Sequence, residues 1–195
     1  MKECKLSYQG KCLTKKLLIF SVLIVPVLFL IAVFSFYDVS IVGAQETNQK
    51  ASQLWQQIQG DKYQDNWSLF PGKGKLYKGT EPHGMLLTTY INKTAEQGLT
   101  SGAKELAKGS ILIKENYMPD KTLAAITVMD KTGDGRDDWY WVKYNPDGTV
   151  ATMEMGKDGM KMEMPVAGGK QTMCAMCHAA SIAGVHNIMT STSSN

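Results

Sequence analysis

Apolar residues follow three successive patterns along this chain. Residues 17–37 (LLIFSVLIVPVLFLIAVFSFY) are apolar and carry no charge, a length that can cross a bilayer as a helix. Residues 45–60 instead place Leu54, Trp55 and Ile58 at helical spacing before Gly60, which predicts an amphipathic helix that packs on the body of the protein. Beyond that point, short apolar runs separated by Gly, Pro and Asp are typical of strands.

Five such runs predict an antiparallel sheet: Met85–Asn92, Ser110–Tyr117, Leu123–Met129, Trp139–Tyr144 and Thr149–Met155. The segment Asn145–Gly148 (NPDG) is a turn sequence and predicts a hairpin of the last two strands. The loop Asp130–Asp138 joins the third and fourth strands. Residues 94–106 predict a short helix broken by glycine, and Thr172–Gly184 a C-terminal helix. The expected fold is α+β: an N-terminal membrane helix, then an antiparallel sheet of about five strands packed with helices.

Charge separates the N-terminal tail from the rest of the chain. Residues 1–44 hold five lysines against Glu3 and Asp38, whereas residues 45–195 balance 16 basic and 16 acidic side chains. A neutral body lacks the positive surface that binds phosphates, so nucleic acid is not expected as a partner. Lys15 and Lys16 precede the apolar run and favour a cytoplasmic N-terminus. The globular part is therefore expected outside the cytoplasm, in the periplasm.

The apolar segment has two possible fates. Val42-Gly43-Ala44 fits the small-x-small pattern of a signal-peptidase site, so cleavage near Ala44 would release the domain. The apolar core exceeds the usual ~7–15 residues of a cleaved signal, and we favour retention as a membrane anchor. The expected organisation is a basic cytoplasmic tail (1–16), the membrane segment (17–37), a linker (38–50) and a globular domain (51–195).

The candidate chemistry lies near the C-terminus, in the sequence MCAMCHA. Cys4 and Cys12 lie on the cytoplasmic side, so Cys174 and Cys177 are the cysteines of the exported part. With His178 they complete C-x-x-C-H, the attachment motif of haem c. Two thiols on one helical turn reach the vinyl groups of a porphyrin, and the adjacent imidazole binds the iron. A structural disulfide and a zinc site are weaker alternatives. One motif predicts one covalently attached haem c.

The order of these segments resembles the cytochrome P-460 family, which includes the cytochromes c′-β. The resemblance covers about residues 67–190 and rests on HGMLLTTYIN, GSILIKENY, ITVMDK, WYWVKY and the haem motif followed by HNIMT. It implies a five-stranded antiparallel sheet, a homodimer and one five-coordinate haem c whose distal face is lined by the sheet. Some members oxidise hydroxylamine or nitric oxide species with a lysine-linked haem and a distal carboxylate. Others bind nitric oxide or carbon monoxide in an apolar pocket.

Two positions distinguish these groups of the family. Lys114 is the candidate for the haem cross-link, although alternation places Leu112 on its face, and Ile111, Ile113 and Glu115 on the other. A strand lysine of this kind often faces solvent. The aromatic strand holds no carboxylate; the nearest are Asp137 and Asp138.

We therefore expect an open distal site for a small diatomic or nitrogenous ligand, walled by apolar residues: Leu112, Val128, Trp139, Trp141 and Val142. The alternatives are a hydroxylamine-oxidising enzyme with a lysine-modified haem and a periplasmic electron carrier with a Met or His sixth ligand. The sequence does not name the redox partner.

The same sequence holds other candidate ligands. The loop from Asp130 resembles a calcium loop with Asp130, Asp134 and Asp138 as ligands, but Trp141 stands where a bidentate Glu belongs. Met160, Met162 and Met164 alternate along one strand face and could supply a sixth haem ligand or a copper site, although packing against haem is the favoured role. His83 and His186 are the remaining imidazoles and are weaker candidates for the sixth ligand.

Overall fold

The computed structural model describes residues 45–80, 82–156, 161–170 and 172–180. The predicted membrane segment, the cleavage site near Ala44, Met160 and His186 lie outside these ranges. Within them, no helix is both long and apolar enough to cross a membrane. The residues from Thr47 onward belong to one compact unit.

The described residues form helices and strands of an α+β fold. Helix α1 covers residues 45–60, and a single turn, α2, covers Tyr63–Asn66. The longer elements are β3 (Leu86–Ile91), α3 (Lys93–Thr100), β4 (Ile111–Tyr117), β5 (Leu123–Lys131), β6 (Trp139–Tyr144) and α4 (Met173–Ala180). Shorter strands are β1 (Ser68–Leu69), β2 (Tyr77–Lys78), β7 (Thr152–Met155), β8 (Met162–Pro165) and β9 (Ala167–Gly168).

The main sheet is antiparallel and has the order β1-β3-β4-β5-β6-β9, with β2 also paired to β3. Its four long strands are consecutive neighbours, as expected when each connection is a hairpin or a short helix. The register places Thr89, Lys114, Thr127 and Lys143 in one row across β3 to β6. This row crosses the middle of the sheet.

Strand alternation gives the sheet two different covered faces. One face packs against α1 and α2 through a cluster that includes Leu54, Ile58, Ile113, Val128 and Val142. The opposite face packs against α3 and α4 and includes Ala95, Leu112, Trp139, Trp141 and Ala175. The C-terminal motif helix therefore lies on the face that carries Leu112 and Trp141.

The predicted α+β class with an antiparallel sheet is confirmed, and four of the five predicted strands form as expected. The fifth strand forms over Thr152–Met155 only, and its predicted pairing with β6 is wrong. The turn does form, with the Asn145 N–H donating to Thr149 O at 2.8 Å, but Val150 makes only an isolated bridge to Tyr144. Strand β7 then pairs with β8 in a separate two-stranded sheet.

Backbone hydrogen bonds explain why the chain leaves the edge of β6 after Ala151. The Lys143 carbonyl accepts from Ala151 N–H at 2.8 Å, while the Lys143 N–H donates to Val166 O at 2.9 Å. The later segment thus occupies the edge of β6, and β9 completes the pairing opposite Trp141 and Val142. A strand edge has one row of donors and acceptors, so β7 finds its partner in β8.

The helices match the sequence patterns, and α3 (Lys93–Thr100) is shorter than the predicted 94–106. Helix α1 covers the predicted residues 45–60, and its first six residues lie in the segment 38–50 that the domain division assigned to the linker. Helix α3 is capped by Asn92, whose side chain accepts from Ala95 N–H at 3.0 Å, and it ends before the left-handed Gly102. The described part of the C-terminal helix lies inside the predicted range.

Candidate functional site

Helix α4 brings the three residues of the motif together. Positions 174, 177 and 178 are three and four residues apart, so their side chains project from one side of the helix. Both thiols are free; Cys174 is half-buried and Cys177 is exposed. Burial raises the pKa of the Cys174 thiol. The start of the helix is held by Thr172, whose Oγ1 accepts from Ala175 N–H at 3.2 Å.

His178 is held between the helix and the sheet. Its side chain is only 6 % exposed, and its ring centre lies 4.6 Å from that of Trp141 on β6. Ala175 is buried in the same cluster as Trp139 and Trp141. The small alanine lets the helix approach the sheet closely, and the tryptophan restricts the orientation of the imidazole.

A second imidazole lies beside the first. The ring centre of His83 is 6.0 Å from that of His178, with the two rings nearly perpendicular at 83°. The turn that carries His83 continues through Gly84 at φ +101°, where a Cβ would lie 3.3 Å from the Tyr117 carbonyl oxygen. This close approach of backbone to β4 brings the turn onto the sheet.

The surroundings of His83 keep its imidazole neutral. Burial is the largest cause, and the positive charges of Lys114 and His178 add to it, so the pKa of His83 falls to about 3. Asn116 acts in the opposite direction by hydrogen bonding. A neutral imidazole retains a lone pair, which is the form that binds metals.

Lys114 lies on the same face of the sheet as the motif helix. The predicted division of β4 is confirmed, because Leu112 belongs to the α4 side and Ile111 and Ile113 belong to the α1 side. The lysine itself is half-buried, and burial lowers the pKa of its ammonium to about 8. It is therefore not the fully solvated strand lysine that alternation alone makes common.

The expected apolar wall is only partly present. Leu112, Trp139 and Trp141 do lie on the α4 side, but Val128 and Val142 are packed against α1 on the other side of the sheet. That part of the expectation is wrong because adjacent residues of a strand point to opposite faces. Lys114 and Lys143, from the row across the middle of the sheet, lie on the motif side instead of these two valines.

The three carboxylates of the expected calcium loop lie in three different environments. Asp130 lies 4.0 Å from the Lys50 ammonium, and its burial raises the pKa of its carboxyl group. Asp138 accepts from Gly135 N–H at 2.9 Å and lies 3.4 Å from the Lys170 ammonium, whereas Asp134 is exposed. The ammonium of Lys131 donates to the Gly135 and Arg136 carbonyls, so an internal cation already uses the loop oxygens. Calcium binding stays a prediction.

Over the part of the chain that the structure describes, no group of three or more His, Cys, Asp or Glu side chains is arranged to hold a metal ion. The residues of the motif nevertheless fit a haem c. The two thiols are unlinked, one of them reaches solvent, and a buried imidazole follows them on the same side of the helix. A haem needs this donor set and requires no carboxylates.

The pairing of His83 with His178 is the feature that the sequence did not reveal. The two residues are separated by 95 positions, and neither the spacing nor the flanking residues of His83 point to the motif. The one indication in the sequence was the small number of histidines, since the whole chain holds three.

The chain was compared with known proteins. The search against protein-family models found no match, and the search of curated proteins found no match either.

Proposed function

We propose that this chain is an exported mono-haem c-type cytochrome of cytochrome P-460 type that binds nitric oxide or a related small nitrogenous or diatomic species. Cys174 and Cys177 would carry the haem, and His178 would be the axial ligand. The observation that carries the proposal is the buried His178 beside two free thiols on a helix packed against the sheet. The bound haem supplies an iron that can bind a diatomic ligand or exchange one electron.

The chain's own residues have separable roles in this proposal. The thiols tether, and Trp141 orients the imidazole through a contact of 4.6 Å between ring centres. Leu112, Trp139 and Trp141 form an apolar surface beside the motif helix and would exclude water from the neighbouring space. Attachment through the N-terminal segment, an extracytoplasmic location and a homodimer belong to the same proposal.

Two alternatives each have one supporting observation. The half-buried Lys114 on the motif side supports a lysine-modified haem and hydroxylamine oxidation. The His83 ring favours an electron carrier with two imidazole ligands. Its ring centre lies 6.0 Å from that of His178, and a neutral imidazole can bind a metal.

Attachment is tested by removing both thiols. Cys174→Ala with Cys177→Ala should abolish haem staining after denaturing electrophoresis, because no thioether can form. The matched control is Cys4→Ala with Cys12→Ala, which removes two thiols outside the motif and should leave the staining unchanged. Staining that survives in the first variant would overturn the proposal.

The sixth coordination position is tested by absorption spectra of the reduced protein with and without carbon monoxide. An open site predicts a high-spin spectrum that carbon monoxide changes, in the wild type and equally in His83→Ala and Lys114→Leu. A low-spin, carbon-monoxide-insensitive spectrum that becomes sensitive only in His83→Ala would establish the electron carrier. A red-shifted, broad Soret band that reverts to an ordinary c-type band in Lys114→Leu would establish the lysine-modified enzyme.

A further inference from the structure

The small sheet formed by β7 and β8 carries methionine at every second position. The register pairs Met153 with Met164 and Met155 with Met162. Directly opposed residues share a face, and residues two apart on a strand share it too. The four thioethers therefore lie on one face of this ribbon, which we call the methionine face. Glu154 and Glu163, also paired, lie on the other.

The methionine face is open to solvent. Met155, Met162 and Met164 are 46 %, 63 % and 42 % exposed, and Met153 is half-buried. These two strands form a sheet separate from the main one. The opposite face is ordinary protein surface, where the Lys161 ammonium and the Glu154 carboxylate approach to 2.6 Å. Core packing thus accounts poorly for thioethers concentrated on the exposed side.

The donor set of this face selects one kind of ligand. All four opposed positions offer a neutral, soft sulfur, and thioethers favour Cu(I) whereas carboxylates and water favour calcium or magnesium. The Cβ atoms of directly opposed residues are about 5 Å apart. Methionine has three flexible side-chain torsions, so sulfurs from both strands can converge on one ion without moving the backbone.

We propose that the methionine face binds one Cu(I) ion. Binding is coordination alone, with no change in oxidation state and no bond broken. A thioether carries no proton to release, whereas a thiolate site releases protons when it binds a metal. The affinity is therefore independent of pH between about 5 and 8, while a site at Cys174 and Cys177 would weaken as the pH falls.

The test is an anaerobic titration of the full chain with Cu(I) against a chromogenic Cu(I) chelator. We expect one Cu(I) per chain, held equally at pH 5.5 and 7.5, and an affinity at least tenfold weaker in Met162→Leu with Met164→Leu. The matched control, Met85→Leu with Met118→Leu, alters two other exposed methionines and should bind as the wild type does. Leucine preserves the apolar volume, and circular dichroism checks the fold.

Three results would overturn the proposal. These are a wild type that retains no Cu(I), a Met162/Met164 variant that binds Cu(I) as tightly as the wild type, and a wild-type affinity that is lower at pH 5.5 than at pH 7.5. Should the double variant fold poorly, Ag(I) added to wild-type protein with ¹³C-methyl methionine gives a second measurement. The resonances of the methionine face should shift and those of Met85 and Met118 should not; the reverse pattern would contradict the site. Both measurements are made with Cys4, Cys12, Cys174 and Cys177 replaced by Ala in every protein compared, because free thiols bind Cu(I) and Ag(I) more tightly than thioethers do; the result then does not depend on whether haem is attached.

Discussion

At the scale of single residues, two adjacent charged side chains of β4 meet opposite environments. Lys114 faces the motif helix, where burial lowers the pKa of its ammonium to about 8. Glu115 faces α2 and is 1 % exposed, with its carboxylate accepting from Tyr63 Oη at 2.9 Å and Tyr117 Oη at 2.6 Å. Burial thus disfavours the charged form of Lys114, whereas hydrogen bonds stabilise the carboxylate of Glu115.

Replacing Lys114 should stabilise the haem-free protein in a pH-dependent way. The folded-state pKa lies below the ordinary value of 10.5, so between pH 8 and 10.5 the unfolded chain binds more protons and stability rises with pH. Below pH 8 the full penalty of burying the charge remains. Lys114→Leu should therefore raise the free energy of unfolding by about 1–3 kcal/mol at pH 7, with the gain shrinking towards pH 10.5.

Urea denaturation of both proteins at pH 7, 9 and 10 measures this difference. The control is Lys104→Leu, which changes an exposed lysine and should have a small effect that does not vary with pH. A gain from Lys114→Leu that is constant over this range would contradict the assigned burial.

Glu115→Gln should destabilise the fold. The carboxylate accepts from two tyrosine hydroxyls and from Gln64 Nε2, and the tyrosines' raised pKa values reflect burial and the neighbouring negative charge. An amide presents a donor to the same groups and loses the charge-assisted bonds, at a cost of about 2 kcal/mol. The urea midpoint at pH 7 measures it. Glu105→Gln at an exposed site is the control, and a loss no greater than this control's would refute the role of Glu115.

At the scale of elements, helix α1 packs against β6 and the turn that follows it. Tyr144 Oη donates to the Ala51 carbonyl at 2.6 Å, and the Trp55 and Tyr144 ring centres lie 4.8 Å apart. Gly148 in the turn has φ +88°, and a Cβ there would lie 2.4 Å from the Trp55 indole. The turn can therefore accept the helix only if this position lacks a side chain.

Gly148→Ala should lower the free energy of unfolding by more than its backbone conformation alone explains. The left-handed conformation costs an L-residue about 1–2 kcal/mol, and overpacking against the indole adds about 1–3 kcal/mol. Gly102→Ala is the matched control, because Gly102 has φ +68° with nothing within 4 Å of the added Cβ. Thermal unfolding of the two variants should differ by at least 1 kcal/mol; equal losses would show that Trp55 does not pack on the turn.

At the scale of the whole molecule, the described residues from Thr47 onward belong to one compact unit. The fragment 45–195 should fold and acquire haem c when exported with a separate signal peptide, because the clusters on both faces of the sheet are supplied by residues after position 50. Haem staining and circular dichroism measure the outcome.

A shorter fragment, 61–195, is the control for this boundary. It lacks Ala51, Leu54 and Ile58, which belong to the buried cluster, and should aggregate or remain unfolded because it exposes one face of the sheet. If both fragments behave alike, the boundary of the domain is misplaced.

Local patterns in the sequence determined much of the fold. Alternation along β4 correctly separated Leu112 from Ile111 and Ile113, because successive side chains of a strand must point to opposite faces. The turn Asn145–Gly148 formed where its residues predicted it, since turn geometry depends on a few neighbouring residues. The motif C-x-x-C-H likewise lies on a helix, where its spacing brings the three side chains to one side.

Only the tertiary structure decided which segments meet. The partner of β7 depends on competition for one strand edge, which Val166 and β9 occupy, and no local pattern encodes that competition. Val128 and Val142 do not belong to the expected distal wall, because they pack against the distant helix α1 on the other face of the sheet. His83 meets His178 across 95 residues for the same reason: contacts between distant residues follow from the burial summed over the whole sheet, whereas periodicity reports only on neighbours.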